Sequence, residues 1–310
     1  MVKPKIAVLL AAYNGMSWIE TQINSIQAQV DVELTIFISV DPSSDGTEEW
    51  CATLSKKKSN VVLLSCAGSY GGAGKNFYRL VRDVDFSKFD FVAFSDQDDI
   101  WLSDKLKRAT HFLQSGVYDA YSSNVTAFWP DGKSCVLNKA QPQVAWDYLF
   151  EAAGPGCTYV FTRRLADRIK TDLSERWDII QSITLHDWFF YGYARANDYN
   201  WFIDAYSSVM YRQHSNNQVG ANIGLKSLVS RYKVIRSGWW FSQVLLMVKI
   251  FNKAEEEFVK RWIKLGALQL FYLATQACQC RRRNRDKVLF IIICFVSITG
   301  RLRKSDTFIK

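Results

Sequence analysis

The chain has 310 residues, 48% hydrophobic and 15% aromatic, which is enough apolar material for a large core and excludes wholesale disorder. Its formal net charge of +9 is unevenly placed, since residues 224–310 carry 18 Lys and Arg against 5 Asp and Glu while residues 1–223 carry 21 against 25. The basic character therefore belongs to a C-terminal segment suited to an acidic surface, lipid or nucleic acid, and the body has the balance of an ordinary soluble enzyme.

KIAVLLAA (5–12) predicts the first strand: Lys3 and Lys5 precede an apolar run, but Ile6 to Ala12 is too short for a signal-peptide core and flows into a polar turn. SWIETQINSIQAQ then sets Trp18, Ile19, Ile23 and Ile26 on one helical face. LTIFISV (34–40), NVVLLS (60–65) and FDFVAFS (89–95) follow as further strands with helical stretches between them. Strand alternating with helix, and strands apolar almost throughout, predict an α/β fold with a mostly parallel sheet flanked by helices. Seven cysteines without a CxxC pair fit neither a zinc framework nor a disulfide ladder and read as reduced thiols of a cytosolic protein.

In such sheets ligands sit beyond the carboxyl ends of the strands. Those ends read AAYNG, DPSSDGTEEW, CAGSYGGAGKN and DQDDIW, all polar and all directed to one rim. Gly71, Gly72 and Gly74 allow backbone to approach a ligand closely, or else merely make a turn. A P-loop is excluded because Ser69 stands where its first glycine belongs and Asn76 where its hydroxyl belongs, and AAYNGMSW lacks the glycines of a dinucleotide fingerprint. What remains is Asp96, Asp98 and Asp99 at one strand tip, where three carboxylates repel unless something offsets them. Capping the next helix, from Asp99, Ser103 or Asp104, needs only one. A hard divalent cation, Mg2+ or Mn2+, binds through carboxylates together with substrate phosphates.

AAYNG, SSDGT, GKNF and SDQDDIW, followed by GPGCTYVFTRRL (154–165), LHDWFF (185–190) and YRQHSNNQVGA (211–221), resemble the family 2 inverting glycosyltransferases of GT-A fold, in particular their rhamnosyltransferase-like branch. The similarity runs from residue 5 to about 222 and implies a catalytic domain over 1–222 with a helical basic extension over 223–310. It implies donor contacts from Ala12, Tyr13, Asp41, Lys75, Asp96 and Arg212, a metal held by Asp98 and His214, and Asp187 as the base that takes the acceptor's proton. Val40-Asp41-Pro42-Ser43 departs from the family's Asp-Asp-Gly-Ser and leaves Asp41 as the one carboxylate there to read the nucleotide base. His186 is left unassigned, His111 is expected on bystander surface, and Trp101 is expected to pack beneath the acidic loop.

Beyond residue 225 the pattern turns to basic, aromatic helices. The apolar run 288–298 is about half of the ~20 residues a spanning helix needs, so these helices are expected to lie on an anionic membrane surface or against another subunit. The resemblance implies a nucleotide-sugar donor such as dTDP-L-rhamnose, a lipid-linked oligosaccharide acceptor and a peripheral place on the inner face of a bacterial membrane. A UDP-hexose donor is the alternative within the class. Nucleic-acid binding through RRRNR is the alternative outside it, and is disfavoured because the positive charge is confined to an amphipathic aromatic tail.

Overall fold

A computed structural model describes residues 2–65, 68–214 and 237–306, with side chains as far as 298. Residues 215–221 of the YRQHSNNQVGA stretch and the start of the extension lie outside the described residues.

The first half of the chain alternates strand and helix. β1 (Lys5–Ala12), α1 (Ile19–Gln27), β2 (Glu33–Val40), α2 (Thr47–Lys57), β3 (Val61–Leu63), α3 (Ala73–Asp83) and β4 (Phe91–Ser95) follow one another. Their strands pair in parallel in the order β3-β2-β1-β4. β1 is central and buried from Ile6 to Ala12, which explains its apolar run: both faces of the strand are covered. The helices fill the crossovers that parallel pairing requires.

The sheet continues through β8 (Val160–Thr162), β6 (Ala120–Phe128), β9 (Trp201–Arg212) and β5 (Ile100–Trp101), and β7 (Ser134–Leu137) pairs with β6. Here β6 and β9 are parallel, and the remaining pairings are antiparallel. Each antiparallel pairing includes β5, β7 or β8, strands of two to four residues that carry too little period to be read in the sequence. Helices α4 (Lys105–Gln114), α5 (Arg163–Glu175), α6 (Trp177–Ile180) and α7 (His186–Ala196) complete this half of the chain.

Two compact units result, one of residues 1–140 with 153–221 and one of residues 141–152 with 222–310. The second unit is helical, with helices at Trp239–Ile250, Ala267–Thr275 and Asn284–Asp306. It also takes in residues 141–152, which the boundary at 222 had left with the first. The Trp146 N–H donates to the Gln279 carbonyl at 2.9 Å, the Trp146 ring stacks on Phe258, and buried Arg282 lies 3.6 Å from Asp147 and 3.5 Å from Glu151. Among the described residues no helix is long and apolar enough to cross a membrane.

Candidate active site

The loops after β1, β2 and β4 are laced together by side chains that bond backbone. Asn14 N–H donates to Ser43 Oγ, Gly15 N–H to Thr47 Oγ1 and Met16 N–H to Asp45 Oδ2, at 2.8–3.0 Å. Gln97, inside the acidic motif, grips the tip of β1 from both sides: Tyr13 N–H donates to its Oε1 and its Nε2 donates to the Tyr13 carbonyl, each at 2.8 Å. Gly15 leaves room for this grip, because a Cβ there would stand 2.2 Å from Gln97 Oε1 and the Gln97 side chain would have to shift. Ala12 is buried at the strand end and the Tyr13 ring is exposed. Asp41 is buried one loop away, where it accepts the Tyr70 N–H at 3.2 Å and donates its own N–H to the Ala12 carbonyl at 2.8 Å.

The three aspartates of DQDD have separate partners. Asp98 Oδ2 lies 2.7 Å from His214 Nε2, and the imidazole stacks on Trp18 with ring centroids 4.1 Å apart. The sequence placed Trp18 on the buried face of α1; instead it precedes the helix and its ring braces the histidine. Arg212 Nε donates to the Asp98 carbonyl at 2.9 Å, and Arg212 N–H to Asp99 Oδ1 at 3.2 Å. Asp99 is fully buried beside Cys157, and burial followed by the charges of Asp98 and Asp96 holds its carboxyl well above the ordinary range. Lys105 is buried with its ammonium 3.6 Å from the Trp101 ring centre, and burial pulls it down to about 7. Trp101 therefore packs beneath the loop.

None of the acidic side chains caps α4. Asp104 holds the N-cap position without a capping bond and accepts the Tyr206 hydroxyl instead. The Leu106 N–H in the first turn of α4 is satisfied by Gln29 Oε1 at 2.9 Å. The cluster is thus free of the structural duty that a surface acidic turn would have.

Asp187 enters from α7. It stands in the helix's first turn, where its Oδ1 accepts the Trp188 N–H at 2.8 Å and the positive end of the helix favours a carboxylate. Burial nevertheless raises its carboxyl to about 6, against lowering by that N–H and by Lys139. Asp96 is half-buried, and its carboxyl is raised by burial, by Asp98 and by Asp187, so the acid of α7 and the acids of β4's tip share one field. The His186 ring stacks on Phe77 at 4.2 Å, and burial lowers it to about 3. Gly156 is needed there because a Cβ would lie 2.5 Å from His186 Nε2.

The structure therefore brings Asp96, Asp98, Asp187, Arg212 and His214 together, with Ala12, Tyr13 and Asp41 on the adjoining strand ends. Lys75 is exposed in the first turn of α3. Gly74 departs from expectation, because its missing Cβ makes room for the Thr184 carbonyl, 2.4 Å from where that atom would stand. It serves helix packing rather than a ligand. Gln97 and Trp18 were missed as organisers of the site. Gln97 could have been suspected as the one neutral side chain amid three acids, whereas no local signal marks Trp18. His111 is exposed.

Comparison with known proteins gives the family and the fold. The family described as Glycosyltransferase like family 2 matches residues 4–145. The dTDP-rhamnosyl transferase RfbG of Shigella flexneri is 42% identical over 291 residues, covering 93% of this chain and 100% of that protein. The chain belongs to the family 2 glycosyltransferases. A more distant similarity, 28% over 119 residues, joins this glycosyltransferase to the beta-1,3-glucosyltransferase WfaP of Escherichia coli, of which the chain covers 45%. Among solved structures, TarS of S. aureus, residues 1–349, superposes with a TM-score of 0.56 at 15% identity, over 96% of this chain and 88% of that one. The mannosyltransferase PcManGT of Pyrobaculum calidifontis, in complex with GDP-Man and Mn2+, gives 0.50 at 14% identity, over 97% and 87%. These establish the GT-A fold.

The residues of this glycosyltransferase can be tested against a divalent ion. Asp98 Oδ2 and His214 Nε2 are 2.7 Å apart in a hydrogen bond that aims the ring nitrogen at the carboxylate oxygen; both are ligand types that suit Mg2+ or Mn2+, and the pair would open, with the nitrogen unprotonated, to hold an ion. A second grouping, Asp96, Asp99 and Cys157, also has its potential ligand atoms within 4.8 Å of one another. Burial raises the thiol far above its usual value, and a protonated thiol is a poor partner for a hard ion.

Proposed function

We propose that this enzyme is a metal-dependent inverting glycosyltransferase that moves L-rhamnose from dTDP-L-rhamnose onto a lipid-linked bacterial surface polysaccharide such as O-antigen, at the inner face of the cell membrane. The observation that carries the reading is Asp187 lying in the field of Asp96, on the rim where Asp98 meets His214. A raised carboxyl near neutrality is the property a general base requires. In a single displacement the acceptor hydroxyl oxygen attacks the anomeric carbon, Asp187 takes its proton, and the bond to dTDP breaks with its electron pair leaving on the diphosphate.

Ala12, Tyr13, Asp41, Lys75, Asp96 and Arg212 are assigned to the donor, with Asp41 against the base. Asp98 and His214 would hold Mg2+ or Mn2+, which supplies neutralisation of the leaving diphosphate when bound. The donor sugar is supported by the similarity to RfbG over that protein's whole length. A UDP-hexose donor is the second reading, favoured by the partial match to a UDP-Glc-dependent glucosyltransferase.

A hydrolysis panel decides between them. Purified full chain with Mn2+ or Mg2+ is given dTDP-L-rhamnose, UDP-glucose and UDP-N-acetylglucosamine, and free nucleoside diphosphate is measured. Release of dTDP in preference to UDP is expected, and Asp98→Ala is expected to weaken donor binding as a chelator does. Preference for a UDP sugar would replace the donor, and donor affinity indifferent to both chelator and Asp98→Ala would remove the metal.

A further inference from the structure

The helical unit presents a surface that the transfer reaction does not use. Leu268 and Phe271 on helix Ala267–Thr275, with Val288, Ile292 and Phe295 on helix Asn284–Asp306, are 44% to 82% exposed. Spacings of three and four residues put each set on one side of its helix. The Phe271 and Phe295 rings meet edge-on at 6.2 Å, which joins the two sets into one stripe. Leu270, Leu273, Phe290 and Cys294 on the same helices are buried, so the core is already supplied and the stripe is surplus to folding. An exposed apolar surface of this extent marks an interaction site.

Its setting is cationic. Lys264, four residues before Leu268, and Arg285, three before Val288, are exposed, and Arg301, Arg303 and Lys304 follow in the sequence. The nearest acids are spent: Asp286 is buried and paired with Arg285, while Glu255, Glu256 and Glu257 pair with Lys260, Lys253 and Arg261.

We propose that this stripe is the face by which the protein docks on an anionic lipid bilayer, its five apolar side chains entering the headgroup boundary and the surrounding cations meeting lipid phosphates. Apolar side chains ringed by Lys and Arg are what such an interface selects. A second copy is disfavoured as occupant because each would bring 18 basic residues against 5 acidic ones in residues 224–310, and like charges oppose pairing. Nucleic acid would engage the cations but gives Leu, Val and Ile no partner, since single strands are held by stacking on aromatic rings. The inference gives the membrane placement proposed above a specific surface, and rests on that placement alone, independent of donor or acceptor.

The test is flotation of the full chain with vesicles of phosphatidylcholine alone or mixed with phosphatidylglycerol. Binding to the mixed vesicles at low salt, falling at high salt, is expected. A triple variant, Leu268→Ser with Phe271→Ser and Ile292→Ser, should lose tenfold or more of its partitioning, roughly what several buried methylene groups contribute. Lys264→Gln should lose about fivefold. Donor hydrolysis in the same samples should stay at the parent level, so that a failure of the transferase reading shows separately. Parent-like vesicle binding by both variants would overturn the proposal. So would tighter binding to a DNA fragment than to vesicles, or a dimer that the triple variant breaks while vesicle binding persists. If the triple variant melts early, Lys264→Gln, at an exposed position, carries the test.

Discussion

Asp187 shows how much a single position can hold. Its place after Leu185-His186 is visible in the sequence, but its chemistry comes from burial, which raises the carboxyl to about 6 from the ordinary carboxylate value near 4. Because the folded chain holds that proton more tightly than the unfolded chain, ionised Asp187 costs stability above the unfolded value, and the cost disappears as the pH falls below about 4. Asp187→Asn should therefore raise the thermal midpoint at pH 7.5 by a few degrees, with no difference at pH 4 or below, since Asn can still accept the Trp188 N–H. The same variant should retain donor affinity and lose transfer by about a hundredfold or more. For the parent, kcat/KM should fall as pH drops through about 6. A flat acid limb, or a variant that turns over normally, would remove Asp187 as base. Asp98 and His214 were legible as a pair from their motifs. The bracing of His214 by Trp18 was not, because stacking joins residues almost two hundred positions apart.

At the level of elements, the four strands of the first hundred residues were readable and those that follow were not, including β6 and β9 of nine and twelve residues. KIAVLLAA became β1 residue for residue, since seven apolar residues in succession have few other fates in an α/β chain. β5 and β8 exist only because β9, β4 and β6 supply partners, and two or three residues carry no period of their own. The glycine-rich entry to α3 teaches the same lesson in reverse. Gly74 reads as a residue for ligand approach, yet what approaches is the Thr184 carbonyl at the entry to α7. Gly74→Ala should cost about 1–3 kcal/mol, as overpacking does. It should also lower turnover by shifting the α7 start that carries Asp187. A parent-like melting curve together with parent-like kcat would show that the helices part without consequence.

Across the whole molecule, the shift to basic composition marks a second unit, but the chain does not divide at one point. Residues 141–152 belong with the helices because Arg282, buried with Asp147 and Glu151, also donates to the Ala152 carbonyl at 2.6 Å. Arg282→Ala would take the cation from buried Asp147 and half-buried Glu151, a loss of about 3–5 kcal/mol, read as a lower thermal midpoint of the full chain. An unchanged midpoint would mean that the ion pairs are replaced by water. The alternation of strand and helix through the first hundred residues, the acidic strand tip, the family and the cationic tail were determined by the sequence alone, since each is a matter of local pattern or motif. Tertiary structure alone decided which acid meets which partner, why Gly15, Gly74 and Gly156 are glycine, and which apolar side chains of the tail remain outside. Those depend on contacts between distant segments, and spacing along a chain does not encode a contact until the fold has closed it.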